Sequence, residues 1–598
     1  MDRRTLILVG ACLALFLAYP YVVRFFGLGQ YLGPPQGQRA ANDTTHAAPR
    51  DTTSMEPLAS ERSPQPTAGS AAPRDTVAGG PERTVSIETP LYRAWFSTRG
   101  ARLMRIELKR YASAHGASLE KGHPRIKRGD VLPEADRVEL GGEPSLHLDL
   151  GSGASLHRLD QVAYQGAESL DAAGEVRAIV FTARTSEGAN LRQTYRIRPD
   201  DYCMDLEVEI HGVPDAWRIS DYSLTARSWP LAHEHDQIDE ERSLRASSLV
   251  GTTLHREPAG SLRKGPKTFE GNPVWAVVQT RYFMGGVAIA QGTGRSTVAG
   301  LEQRVVPPSE RALLGDDAKP VQELLAHTMV VSLPGELEPP NRFLVYFGPN
   351  EYFRLAKLGH GLERVVDLGW PWITPFSRLL LQLMVWVYGV VRNYGVAIVV
   401  LATLVRMLLH PLSMISIKSM REMQKVQPEI ERLKDKYKND AQALNTAMMG
   451  LYKEHKINPA GGCLPMLVQM PLFIALYSVL FNAIELRQAP LVAWVTDLSA
   501  PDTLFHVAGF PIRLLPVLMA LSGLLQQRMT PTDPRQASSM YLMNVLMLVF
   551  FYNLPSGLVL YWTVMNLLTA LQQWIALRED GGHPAAAASA VVARGGAK

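Results

Sequence analysis

Five long apolar runs crowd the C-terminal part of the chain, and they constrain its fold more than any other feature. They are 394–410 (YGVAIVVLATLVRMLLH), 464–484, 512–529, 538–554 and 557–577. A helix of about 20 residues matches the roughly 30 Å hydrocarbon core of a bilayer. Backbone groups in lipid must bond internally, so runs of this length predict membrane-spanning helices. Only Pro555-Ser556 separates the last two runs, far too short a link to hold a domain.

The N-terminus adds a sixth run. MDRR precedes TLILVGACLALFLAYPYVV, so positions 5–23 carry no charge. The run is long for a signal-peptide core and no small-residue cleavage site follows Val23, so residues 1–30 are read as an uncleaved anchor. Val9-Gly10-Ala11-Cys12 looks like a lipoprotein box but has too short an apolar run before it. Residues 31–82, rich in Pro, Gly, Ala, Ser and Thr, read as a flexible tether, and 579–598 as a disordered tail. Between 83 and 350 the texture changes to short alternating runs such as RTVSIET, LYRAWFST, ARLMRIELKR, RQTYRIR, YCMDLEVEIHG and NRFLVYFG. A period of two bounded by Gly, Pro and Asp turns predicts a β-sandwich. A thirteen-residue run at 379–391, between Arg378 and Arg392, is too short to span. Segment 361–392 is therefore expected to lie at the interface, with Trp370, Trp372 and Trp386 at headgroup depth.

Loop charge sets the orientation. Segment 411–463 carries Lys418, Arg421, Lys425, Arg432, Lys434, Lys436, Lys438, Lys453 and Lys456, whereas 485–511 carries Arg487 alone. The positive-inside rule puts the first in the cytoplasm and the second outside. Arg3 and Arg4 place the N-terminus inside, and six crossings then put the β-domain outside and the C-terminus inside. The basic loop reads as a helical hairpin with arms 413–437 and 441–456. Its Met414, Met420, Met423, Met448 and Met449 form either an adaptable binding surface or simply the seam that closes the hairpin.

Arg406 stands out within a span. Such a residue costs about 2.5–3.5 kcal/mol on insertion scales and marks a wet or functional site. It lies four residues from His410, roughly 6 Å at helical rise, so snorkelling to the headgroups is the competing reading. Gln469, Asn544, Thr563 and Asn566 interrupt other spans, as interhelical hydrogen bonds or a wet cavity would require. Other apparent motifs dissolve on inspection. GSLRKGPKT at 260–268 departs from a phosphate loop at Pro266, and His233, Glu234, His235 and Asp236 read as a solvated loop rather than a metal site. Cys12, Cys203 and Cys463 fall in different compartments and fit no disulfide or zinc pattern. No nucleotide motif and no nucleophile–base pair occurs, and a net charge of +4 gives no reason to invoke nucleic acid.

Several blocks, in order, resemble the Gram-negative YidC insertases: ETPLYRAWFSTRGARL at 88–103, VRMLLHPLSMISIKSM at 405–420, NPAGGCLPMLVQMPLFIALY at 458–477, ELRQAPLVAWVTDLSAPD at 485–502 and LPSGLVLYWTVMNLLTALQQW at 554–574. The resemblance implies an α-helical inner-membrane protein with six transmembrane helices, a five-helix insertase core at 393–578 holding the hairpin 411–460, and a periplasmic all-β supersandwich. It implies a hydrophilic groove open to cytoplasm and lipid, and no catalysis or cofactor. The groove arginine falls on Arg406, and substrate-contacting positions fall on Gln469, Met470, Pro471, Phe473, Tyr561 and Trp562, with Asn566 added as a polar groove residue. Relatives often carry two tyrosines where this chain has Tyr561-Trp562. The implied partners are nascent membrane proteins, the SecYEG translocon, the lipid bilayer, and the ribosome and signal-recognition machinery, without nucleotide.

Two other readings compete. A transporter for an anionic solute would use Arg406 as its binding charge, but no internal repeat relates the spans. A tethered sugar-binding protein would leave the apolar spans unexplained. On the sequence alone the β-domain, loosely tethered and without groove residues, is expected to be largely dispensable.

Overall fold

The alternating stretch folds, in a computed structural model of the chain, into three antiparallel sheets running from Thr84 to Pro349. The structure describes residues 81–113, 131–151, 156–170, 176–229, 234, 237–306, 321–335, 338–437, 440–455, 457, 464–491, 494–507, 510–529 and 534–579. The expected anchor 1–30, all but the end of the tether, and the tail from 580 lie outside the described residues.

Each alternating block is a strand: Thr84–Glu88, Tyr92–Ser97, Arg102–Ala112, Asn190–Ile197, Cys203–His211 and Asn341–Pro349. The first three join Arg137–Ser145 in a four-stranded sheet. A nine-stranded sheet is centred on Phe283–Gln291, Asn341–Pro349 and Cys203–His211, and a six-stranded sheet on Val321–Ser332 and Asp221–Arg227. Alternation decides which side chains go inside: Leu191, Gln193, Tyr195 and Ile197 are buried while Arg192 and Arg196 are exposed. Buried polar groups tie the two larger sheets together, with Thr297 Oγ1 3.2 Å from Ser248 Oγ and the Asn341 amide donating to the Tyr222 hydroxyl at 2.9 Å. His327 Nδ1 donates to the Val277 carbonyl at 3.0 Å, and burial pushes its pKa down to about 4, so the imidazole stays neutral. Phe96 of the small sheet packs on Tyr195 and Phe181 of the nine-stranded one, at 4.8 and 6.1 Å.

The apolar runs are helices: α1 Thr374–Val391, α2 Tyr394–Leu408, α6 Leu464–Asn482, α7 Leu514–Met529, α8 Pro534–Phe551 and α9 Ser556–Glu579. Between α2 and α6 lie α3 His410–Lys425, α4 Gln427–Lys436 and α5 Ala441–Glu454. One expectation needs correction. The interfacial run was bounded by charge at 379–391, yet α1 begins at Thr374 with Pro375 in its first turn and runs 18 residues. Arg378 does not end it, because a single arginine has good helix propensity and its guanidinium lies 5.8 Å from the Tyr352 ring. Among the described residues α1 is the helix both long enough and apolar enough to cross a membrane, with α2, Gln469–Asn482 and Met540–Phe551 as shorter apolar stretches. Leu380, Leu381, Met384 and Val387 of α1 are buried, while Phe376, Leu379, Trp386 and Val390 form an exposed apolar stripe.

The first arm of the hairpin, expected as one helix, is broken at Val426 between α3 and α4. Pro428 has no N–H to continue the preceding turn, so a new helix starts with proline in its first turn. Asp440 caps α5 by accepting from Gln442 N and Ala443 N at 3.1 and 2.8 Å. Val426, Ile430, Leu451 and Ile457 make a small core, with Met423 and Met448 packed against it. These two methionines therefore close the hairpin, while Met414 and Met449 remain half-buried. Leu409–Val468 fall in a different compact unit from Ala71–Leu408 and Gln469–Lys598.

Candidate functional site

The helices place the polar span residues in two separate groups. Arg406 sits in the last turn of α2 and is 7% exposed. A snorkelling side chain would reach solvent, whereas this one is enclosed by protein. Its Nε has no hydrogen-bond partner among the described residues, and the polar group facing it is the Tyr561 hydroxyl of α9. Tyr561 is itself buried, because α9 packs on both α2 and α7. The next residue, Trp562, turns to another face, edge-on to Phe473 of α6 at 5.2 Å and 5.4 Å from Phe551 of α8. Gln469 and Pro471 are half-buried on α6, and Met470 is 45% exposed. Pro471 lies inside the helix, where it removes one backbone hydrogen bond.

Asn566 belongs to the second group. Its amide donates to Ser522 Oγ at 3.1 Å and to the Met519 carbonyl at 3.4 Å, both on α7. Asn544 of α8 donates to Gln527 of α7 at 2.6 Å. Gly523 makes this packing possible, since a Cβ there would lie 2.5 Å from Asn544 Oδ1 and 3.5 Å from Asn566 Nδ2. The sequence flagged the two asparagines but not the glycine between them. Gly523→Leu is expected to force α7 and α8 apart at a cost of about 1–3 kcal/mol, read as a lower unfolding temperature in detergent.

The C-terminal end of α6 and the loop after it hold residues that the sequence reading passed over. Arg487, counted there only as a loop charge, donates through Nε to Glu234 Oε1 at 2.7 Å and lies 5.1 Å from the Phe283 ring. Its side chain is 2% exposed and that of Glu234 20%, so the solvated-loop reading fails for Glu234. His233, His235 and Asp236 lie outside the described residues. Arg281 of the β-domain donates through Nε to the Phe481 carbonyl at 2.7 Å, pairs with Asp239 at 3.0 Å, and stacks 3.8 Å over the Phe481 ring. The Asn482 amide donates to the Asp367 carbonyl, and that of Gln488 to the Ala112 carbonyl. Among the described residues, buried polar contacts join the β-domain to the end of α6 and the loop that follows it. Removing one partner of such a buried pair typically costs about 3–5 kcal/mol. Asp502 is another late arrival, capping α7 by accepting from Leu514 N and Leu515 N at 3.0 and 2.9 Å from twelve residues upstream.

The comparisons with known proteins fit this two-part architecture. Residues 386–581 match the family model described as 60Kd inner membrane protein, and 146–383 match the YidC periplasmic domain. The chain is 34% identical over 504 residues to the membrane protein insertase YidC of Geobacter sulfurreducens, covering 81% of this chain and 85% of that one. It is 32% identical over 585 residues to the same protein of Geotalea daltonii, covering 96% of this chain and 98% of that one. The chain belongs to the YidC family of membrane protein insertases. A crystal structure of an active YidC insertase with its first transmembrane domain resolved is 17% identical, with a TM-score of 0.33 over 84% of this chain and 94% of that one. The YidC assignment rests on the sequence relatives. It makes the chain an inner-membrane protein of an insertase family, with a periplasmic β-rich domain and a helical C-terminal region.

Proposed function

We propose that insertion runs through a hydrophilic groove whose charge is Arg406 and whose wall is Gln469, Met470, Pro471 and Phe473 of α6 with Tyr561 and Trp562 of α9. The observation that carries this reading is the enclosed guanidinium with an unpartnered Nε, a donor held ready inside an apolar bundle. A nascent chain must carry a short polar flank across the membrane and leave an apolar helix within it. Arg406 holds acidic groups of the flank transiently through charge-assisted hydrogen bonds. The apolar segment then slides along Phe473 and Trp562 and partitions into lipid by the hydrophobic effect. A membrane potential draws acidic flanks outward, worth roughly 2.3 kcal/mol per charge per 100 mV. Asn566, half-buried and donating to Ser522 Oγ on α7, adds a polar group to the groove. The test is reconstitution in liposomes with a single-span nascent substrate, where insertion without nucleotide is expected. A requirement for ATP at this protein would sink the reading.

The proposed topology has six crossings with both termini inside, the anchor and α2, α6, α7, α8 and α9 spanning, and α1 at the outer interface. SecYEG would meet the laterally open side, and the ribosome and signal-recognition machinery the hairpin. Ser499, a natural probe position in the outer loop, is 6% exposed and bonded to Asp497, and Asn439 lies outside the described residues, so exposed His506 and Gln442 are better probes. An impermeant maleimide added from outside is expected to label a cysteine at 506 and spare one at 442. Native Cys203 stays silent, because it is fully buried and burial pushes its thiol up to about 12. The reverse labelling pattern would overturn the orientation.

A further inference from the structure

The outer half of α6 carries an aromatic ladder that leads out of the proposed groove. Trp562 meets Phe473 at 5.2 Å, Phe473 meets Tyr477 at 6.3 Å, and Tyr477 stacks on Phe481 at 5.3 Å. Positions 473, 477 and 481 recur at i, i+4 and i+8, so one helix face holds all three over roughly 12 Å of rise. The ladder ends on a charge from another domain, the Arg281 guanidinium 3.8 Å over Phe481.

The backbone ends there too. A helix leaves its last four carbonyls without intrahelical partners and its C-terminus partly negative. Phe481 is the penultimate residue of α6, and Arg281 Nε donates to its carbonyl at 2.7 Å. Asp239, on the short helix Gln237–Ser243 of the β-domain, holds the same guanidinium from the other side at 3.0 Å. Six residues beyond Phe481, Arg487 grips Glu234 of the β-domain. Two buried arginines, one from each partner, therefore bracket the helix end. Support from outside matters here, because Pro471 removes a hydrogen bond from within α6 and weakens its own stiffness.

We propose that the β-domain is a positioning element for insertion, and that Arg281, with the Arg487–Glu234 pair, fixes the register and tilt of the α6 aromatic face against Trp562. Arg281 touches no substrate. It acts through Phe481 and the ladder, and this role rests on the groove reading given above. The residues that matter are confined to one end of the β-domain, so most of that domain is scaffold for a short docking edge.

The test uses the full-length protein with a photo-cross-linker at the exposed position Met470 and a ribosome-stalled single-span substrate. Arg281→Ala is expected to lower the cross-link yield and the insertion of released substrate at least threefold, at matched membrane levels and unchanged trypsin resistance of the β-domain. Arg281→Lys keeps a charge for Asp239 and a donor for the Phe481 carbonyl, and is expected to recover at least half of the loss. Arg295→Ala breaks an ion pair with Asp221 elsewhere on the β-domain and is expected to match the parent. If the parent itself gives no cross-link at Met470, the groove reading fails. If the parent cross-links and a stably folded Arg281→Ala does so equally, the positioning role is overturned. Should Arg281→Ala fail to accumulate, Asp239→Asn is read in the same way: a reduced yield supports the role, and parental yield together with parental insertion overturns it.

Discussion

Insertion of a single-span substrate with an acidic flank should fall at least about fivefold in Arg406→Ala and further in Arg406→Glu, while Arg406→Lys keeps much of the parental activity. A unit charge about 4 Å from a carboxylate is worth roughly 1 kcal/mol in water and about 4 kcal/mol at an effective dielectric of 20. A wet groove lies between these limits, so alanine weakens capture roughly five-fold to several hundred-fold for each acidic group, and glutamate adds repulsion. Lysine preserves the charge, and a moving substrate does not need the bidentate geometry that separates the two cations. Substrates with neutral flanks are expected to be affected least. The stability readout should go the other way. Arg406 is 7% exposed and its Nε has no hydrogen-bond partner among the described residues, so alanine removes a buried charge without orphaning another group. Unfolding temperature in detergent should hold or rise slightly as insertion fails. Parental insertion by all three variants at matched levels, over several substrates, would make Arg406 a residue of packing alone.

Replacing 413–456 by a Gly-Ser linker is expected to abolish growth support while the helical core still accumulates in the membrane. The hairpin holds most of the Lys and Arg residues of the loops between the apolar helices, and the topology proposed above puts it on the cytoplasmic side. Its stability is internal, resting on Val426, Ile430, Leu451 and Ile457. Losing it should therefore remove capture without unfolding the spans. A finer version is Leu451→Asp, which puts a charge into that small core and should cost about 2–5 kcal/mol locally, opening α4 from α5. Limited proteolysis should then cut between 426 and 457 before any other described segment. Normal growth after either change would reduce the hairpin to a structural loop.

Sequence and structure divide the credit along physical lines. Strand positions were legible where burial on one face imposes a period of two, as in Asn190–Ile197 with Arg192 and Arg196 exposed. The helices of the core were legible because long, mostly apolar runs have few alternatives in lipid. Their ends were less so: Arg378 looked like a boundary and is not, while the arm read as 413–437 is broken before Pro428. Charge counts cannot see where a guanidinium finds an aromatic ring, and propensity sums cannot see which turn lacks its donor.

By itself the sequence determined the class of the protein: a periplasmic β-rich domain followed by apolar helices, with Arg406 and the α6 and α9 residues as the groove candidates. The two-part architecture follows from composition and period, which are local or one-dimensional, and the groove candidates on α6 and α9 are what the resemblance implies. Tertiary structure alone decided the partners. It buried Arg406 beside Tyr561, turned Asn566 to Ser522, and made Gly523 the point where three helices meet. It also brought Arg281 to Phe481 across 200 residues of sequence and Arg487 to Glu234 across 253. A salt bridge between distant segments leaves no periodic trace, because neither residue type nor spacing says which of the many arginines will be desolvated. That choice is made by the surface the rest of the fold presents, and it is why the docking edge of the β-domain could not be read before the chain was folded.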